Sequence, residues 1–179
     1  MSWTESVNFR EIMAVPDVRR AIDDNMRAYK PTMSAEDFLG KAETVLSALS
    51  GTGAPLKLIG EVVAPLYTKM GVKTGKSVSA RLAMPPGRAI AAALCSMARH
   101  GQTLDKADQA SDGVALTAQL PSDMWSFQGS MVCAFARDGD GVKVDAATTI
   151  PGQMFDWGKS ERILKTLQSE IVSLETLLP

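Results

Sequence analysis

His100 is the single histidine of the chain, and Ser96 precedes it by four residues, a spacing that brings two side chains together on a helix. A nucleophilic site built on this pair needs a third residue to orient the imidazole and a sharp elbow to present the hydroxyl. The sequence shows neither, and the negative end of a helix dipole accounts for a histidine in a last helical turn. Gly71-Val72-Lys73-Thr74-Gly75-Lys76-Ser77 has the composition of a phosphate loop. That loop needs four residues between its glycines so that backbone N–H groups can wrap the phosphates, and three stand here. It also leaves a predicted helix and enters a predicted strand, the reverse of a phosphate loop, and reads as a basic linker. Asp138-Gly139-Asp140-Gly141 resembles a calcium loop, but counted from Asp138 the fifth, sixth and twelfth positions are Val142, Lys143 and Thr149. A tight hairpin turn explains these residues better. With two cysteines and one histidine the chain lacks the ligands of a zinc site, so no metal and no cofactor is expected. No residue is assigned as catalytic, and a non-enzymatic role is favoured over an enzyme.

Binding chemistry has better candidates. Asp156-Trp157-Gly158-Lys159 places an aromatic face two residues from an ammonium, a pair able to form the mouth of a ligand site. The same residues also read as a helix start, with Asp156 as cap, Trp157 on a sheet and Gly158 allowing close approach. Asp123-Met124-Trp125-Ser126-Phe127 brings two aromatics within three residues at a strand start. With the alternating Met131 and Phe135 they can line a cavity or pack a core. The ten methionines suit a malleable binding face and an irregular core equally.

The elements that would hold these residues follow from periodicity. Pro16 suits a first helical position, and Val18, Ile22, Met26 and Tyr29 recur at helical spacing. Further helices are expected from Ser34 to Gly51 and from Pro55 to Gly71, the last kinked at Pro65. From Ser77 the period becomes two, with Val78, Ala80, Leu82 and Met84 apolar. Pro85-Pro86-Gly87 opens a helix with Ile90, Leu94 and Met97 inward, closing at Arg99-His100-Gly101. Strands are predicted over 102–107, 114–120, 126–136 and 142–150, then a helix from Asp156 or Ser160 to Leu178. Leu164, Leu167, Ile171, Leu174 and Leu178 step by heptad intervals, too few for a free coiled coil. Most of this stripe should face the sheet, with the turns beyond Ser169 overhanging as a contact surface.

Net charge is -1, from 19 basic and 20 acidic residues, which argues against a nucleic-acid footprint. The 179 residues allow one domain with an appendage. The N-terminus lacks the apolar run of a secretory signal, and Ala89–Ala98 is about half a membrane span. Cys95 and Cys133 fall on sides expected to be buried, as free thiols do in a reducing compartment, and the sequence alone leaves a disulfide between them open. These features point to a cytoplasmic protein that does not span a membrane.

Residues 77–176, ending in the Thr149–Ser160 junction with its Asp-Trp-Gly-Lys turn, resemble the TATA-binding-protein-like, helix-grip class. They are similar in particular to small uncharacterised bacterial domains of the START and polyketide-cyclase (SRPBCC) superfamily. The resemblance implies an α+β fold of order β-α-β4-α, an antiparallel sheet gripped by the C-terminal helix, preceded by an N-terminal helical extension. Residues 1–75 would form that extension, packed on the main domain of residues 76–179. It also implies a binding module with an apolar small molecule or lipid held between sheet and C-terminal helix. The candidate lining is Trp125, Phe127, Met131, Phe135, Trp157 and Lys159. The competing expectation is a protein–protein module, with a homodimer formed through the N-terminal helices and the heptad stripe.

Overall fold

Alternation of apolar with small or polar residues from Ser77 onward builds one antiparallel sheet. In the computed structural model, which describes residues 2–29, 76–121, 129–149, 158–175 and 178, its strands are β1 (Ser77–Leu82), β2 (Thr103–Gln109), β3 (Gly113–Leu120), β4 (Gly129–Asp138) and β5 (Gly141–Thr149). They lie in the order β1-β5-β4-β3-β2, so the first strand joins the last and the others form a meander. Register aligns the apolar positions into rows. Leu116, Cys133 and Ala146 lie side by side, as do Val114, Phe135 and Val144. Val78 and Ala80 of β1 extend these rows opposite Ala146 and Val144. The opposite face carries Ser79, Asp145, Ala134, Ala115 and Asp108 in one row, small or charged throughout. The edge strand β2 has a bulge between Leu104 and Lys106 and an ion pair between Lys106 and Asp108 at 2.7 Å, both of which discourage further strand pairing.

The described helices are α1 (Phe9–Met13), α2 (Pro16–Tyr29), α3 (Pro86–Arg99) and α4 (Lys159–Glu175), with a short 3-10 turn at Trp3–Glu5. The chain is therefore α+β, with α3 and α4 packed on each other and on the sheet, and α2 and the Trp3–Glu5 turn packed on α3. Sequence periodicity gives α3 one inward face. The structure buries it on nearly every side: Ala89, Ala91, Ala92, Ala93 and Ala98 are as inaccessible as Ile90, Leu94 and Met97. A helix apolar all round belongs inside, and its alanines let the sheet, α2 and α4 approach closely. Gly87 shows how close, since a Cβ there would collide with the Trp3 carbonyl oxygen.

The N-terminal segment joins the same core through Phe9, Ile12, Val18, Ile22 and Met26. Asn8 caps α1 by accepting from the Arg10 and Glu11 N–H groups. The helices expected over 34–51 and 55–71, the kink at Pro65 and the basic linker up to Gly75 lie outside the described residues. So do residues 126–128 of the strand predicted to start at Ser126.

On α4 the heptad stripe faces inward along its whole described length. Leu164, Leu167, Ile171 and Leu174 are buried, and so is Leu178 beyond the helix. The overhang expected beyond Ser169 is thus replaced by burial within the chain, because α4 packs on α3 as well as on the sheet. Val172, half exposed, is the one large exposed hydrophobic among the described residues. Cys95 and Cys133 are free and buried. Burial pushes the Cys95 thiol up to about 12, against a smaller opposing pull from Arg99, and pushes Cys133 up further still.

Candidate functional site

The two ends of the sheet are built differently, and the cleft lies at the end where β2 begins and β3 finishes. Gly101, with φ at 64°, closes α3 there. Its N–H donates to the Ala98 carbonyl and the Gln102 N–H to the Met97 carbonyl, which is the Schellman stop. That stop turns the chain from α3 into β2 and delivers the Gln102 side chain to the inside of the turn, 7% exposed. Across from it, β3 ends at Leu120-Pro121, and α4 begins with Lys159. Lys159 Nζ donates to the Pro121 carbonyl at 3.1 Å, tying the start of α4 to the end of β3.

Between these pieces is a cleft of about 300 Å³. Ser96, His100 and Gln102 form one side, Leu120 and Pro121 the rim, and Lys159, Arg162, Ile163, Thr166 and Leu167 the other side. That volume lies at the lower end of the roughly 300–1,000 Å³ range of small-molecule pockets. The space beneath α4 is another matter. Among Val78, Ala80, Leu82, Val144, Ala146, Leu164, Leu167 and Ile171 there remains a void of only about 10 Å³. A single water needs roughly 10–15 Å³. The apolar layer between β1, β5 and α4 is packed.

Charge at the cleft is predominantly positive. Lys159 and Arg162 stand at the positive end of the α4 dipole. Glu161, the acid between them in sequence, is paired with Lys165 and Lys76. The Lys165 ammonium at 2.7 Å, aided by Lys76 at 3.7 Å, holds its carboxyl below the usual carboxylate range. Gln102 contributes the unbalanced group: its Oε1 is buried and accepts no hydrogen bond among the described residues. Leaving a buried acceptor unpaired costs about 1–3 kcal/mol.

Glu170 lies behind the cleft wall. Its Oε2 accepts from Ser96 Oγ at 2.7 Å and is 3.0 Å from His100 Nε2, while Arg99 approaches Oε1 at 3.7 Å. Arg99 Nε in turn donates to Asn25 Oδ1 at 2.9 Å, linking α2, α3 and α4. The third partner absent from the sequence reading of Ser96 and His100 is therefore Glu170. The order is wrong for nucleophilic catalysis, which needs the imidazole between hydroxyl and carboxylate. Here the carboxylate stands between them, so the cluster clamps helices together.

Of the residues singled out in the sequence, Lys159 lines the cleft. Met131 and Phe135 are fully inaccessible in the core. Trp125, Phe127 and Trp157 lie outside the described residues. Gln102, Arg162 and Glu170 were not singled out. Glu170 carried a signal, since it stands three residues after Leu167 and four before Leu174, on the inward stripe of α4. Among the described residues no group of three or more histidine, cysteine or acidic side chains is placed to hold a metal ion, and no helix is long and apolar enough to cross a membrane.

No protein-family model matches the chain, and no curated protein matches it. The crystal structure of Ara h 8.0201 is similar, at 9% sequence identity and a TM-score of 0.30, covering 55% of this chain and 97% of that one. At that depth the likeness lends this chain no ligand.

Proposed function

We propose that this protein is a non-enzymatic binding module of helix-grip type, and that it holds a small amphipathic molecule in the cleft between the ends of α3, β3 and α4. The observation that carries the reading is the contrast in space: about 300 Å³ in the cleft against about 10 Å³ beneath α4. The apolar part of a ligand has Leu120, Ile163 and Leu167 to lie against, and its polar part meets Gln102, Lys159 and Arg162. Trp157 precedes Lys159 by two residues and Trp125 follows Pro121 by four, which makes both tryptophans candidate reporters of occupancy. The strand order, with β1 beside β5 and both long helices on one face, supports the helix-grip reading.

The homodimer reading has no support from the heptad stripe, whose leucines are buried within the chain. The test is native mass spectrometry of the purified protein beside its denatured mass, repeated on Thr166→Trp, which fills the cleft from the exposed side of α4. Bound mass of a few hundred daltons in the wild type, absent from Thr166→Trp, is the expected result. Bound mass that persists in the variant would place the ligand elsewhere, and none in either protein would remove the reading.

A further inference from the structure

The two edges of the sheet are protected unequally. The β2 edge carries a bulge and the Lys106–Asp108 ion pair. At the other edge β1 has no proline, and its register with β5 is unbroken from Ser77 to Leu82. The Thr148 N–H donates to the Lys76 carbonyl, so by the alternation of an antiparallel ladder Val78, Ala80 and Leu82 bond toward β5. The N–H and C=O groups of Ser77, Ser79 and Arg81 therefore point out of the sheet, and all three residues are exposed. The charges that would blunt this edge are drawn away from it: Lys76 pairs with Glu161 at 3.7 Å and Arg81 with Asp138 at 2.9 Å.

Above the same edge lies the one large exposed hydrophobic among the described residues. Glu161 of α4 reaches Lys76 just before β1, and Gln168, two turns on, lines the small void over Val78, Ala80 and Leu82. Val172 follows Gln168 by one turn on the same flank of the helix and is 50% exposed. An extended peptide added to β1 would satisfy the backbone and leave Val172 in water. A second copy of this chain brings a strand and a helix at the same two levels, and so covers both.

We infer that two copies of the chain pair antiparallel through β1, about a two-fold axis at Ala80, and join their sheets into one. That register sets Val78 opposite Leu82 of the second copy and Ala80 opposite its own counterpart, on the face beneath α4. Ser79 and Arg81 exchange the outward backbone bonds with Arg81 and Ser79 of the second copy. The two flanks of α4 that carry Val172 come side by side. The strip is complementary to itself, as a two-fold interface requires. One short ladder and one helix flank make a small interface, so the association is weak. The cleft lies along the other flank of α4, at Arg162, Ile163 and Thr166, and stays open in the pair.

The experiment is sedimentation equilibrium of the full chain from low micromolar to near-millimolar concentration, on the wild type, Val172→Glu and Ser79→Lys. A lysine at position 79 lies opposite Asp145 of its own β5, which favours the folded monomer, and opposite Arg81 of the second copy, which opposes pairing. We expect a monomer–dimer equilibrium in the wild type, with the dissociation constant raised about tenfold or more by each substitution. Ala80→Cys should form a disulfide-linked dimer under mild oxidation, because a non-hydrogen-bonded pair sets its Cα atoms about 4.5 Å apart, within reach of a disulfide. Should Ser79→Lys fail to fold, Val172→Glu, at an exposed position, and the Ala80→Cys crosslink decide the matter. A wild type that stays monomeric over the whole range would overturn the inference. So would a dimer that neither substitution weakens, or an Ala80→Cys protein that yields no covalent dimer.

Discussion

Two glutamines at opposite ends of β2 show how differently the two ends of this sheet are finished. Gln109, at the end of the strand, has every polar atom engaged. Its Oε1 accepts from the Phe9 N–H at 2.9 Å, and its Nε2 donates toward the carbonyls of Val7, Ala110 and Gly113 at 2.9–3.0 Å. It thus binds the N-terminal segment to the β2–β3 turn. Arg137 adds to this closure by reaching the Glu5 carbonyl. The β4–β5 turn at the same end is tight, with Asp138 paired to Gly141 and Gly139 at φ 63°. Gln102, just before the start of β2, is buried as well, yet its Oε1 is unpartnered among the described residues, and a cleft opens beside it. A buried amide is normally satisfied. Gln109 meets that rule and Gln102 does not, and the cleft beside Gln102 is where we propose that a ligand binds.

The comparison can be broken in order of expected effect. Phe135, in the row with Val114 and Val144 toward the closed end, is fully inaccessible. Phe135→Ala should cost about 3–5 kcal/mol in urea denaturation, as expected for an aromatic removed from a filled core. A cost below about 1 kcal/mol would show that this end is loosely packed. Gln109→Leu should come next, at about 2–3 kcal/mol, because it strands carbonyls and an N–H in the N-terminal junction.

The thiols test the core between the two ends. With Cys95 held at about 12 and Cys133 shifted further the same way, neither should react with a thiol reagent at pH 8 until the protein unfolds. The unfolded thiols ionise near pH 8.5 while the folded ones stay protonated. Their contribution to stability is therefore intact below about pH 8.5 and declines as pH rises toward 12. Rapid labelling of the native protein would mean that the core opens. Gln102→Leu should have the smallest effect, within about 0.5 kcal/mol of zero or stabilising, since it removes an unpaired group. A loss like that of Gln109→Leu would mean that Gln102 is satisfied in the folded chain, and the contrast between the ends would vanish.

Local patterns in the sequence reached the elements and the coarse α+β arrangement of an antiparallel sheet with a C-terminal helix, but not the detail of the packing. The period-two run from Ser77 is β1, and the Pro86 start and Gly101 stop bound α3 as read. Pro16 opens α2, and Val18, Ile22 and Met26 face the core. The start of α4 was bracketed between Asp156 and Ser160, and the helix is described from Lys159. The all-round burial of α3 was harder to see. Alanine is compatible with exposure and with close packing alike, and only the positions of α2, α4 and the Trp3–Glu5 turn decide between them. The residues offered as candidate ligand contacts reflect a different difficulty. Phe135 and Met131 have the residue types of a cavity lining, but those types are the same in a filled core, and register places both inward in packed rows. Lys159, named from its turn motif, lines the cleft. Gln102 and Arg162 were not singled out, because only the tertiary fold brings the start of β2, the end of β3 and the start of α4 around one cleft.

The most direct test of the account is the map of backbone amide shifts during titration of octanoate into isotopically labelled protein. The account expects the perturbed amides to cluster at Ser96, His100, Gln102, Leu120 and Lys159–Leu167, with Val78, Ala80 and the Gln109 end unmoved. Shifts centred instead on Val78, Ala80, Val144, Ala146 and Ile171 would place the ligand beneath α4, in the layer described here as packed, and would contradict it.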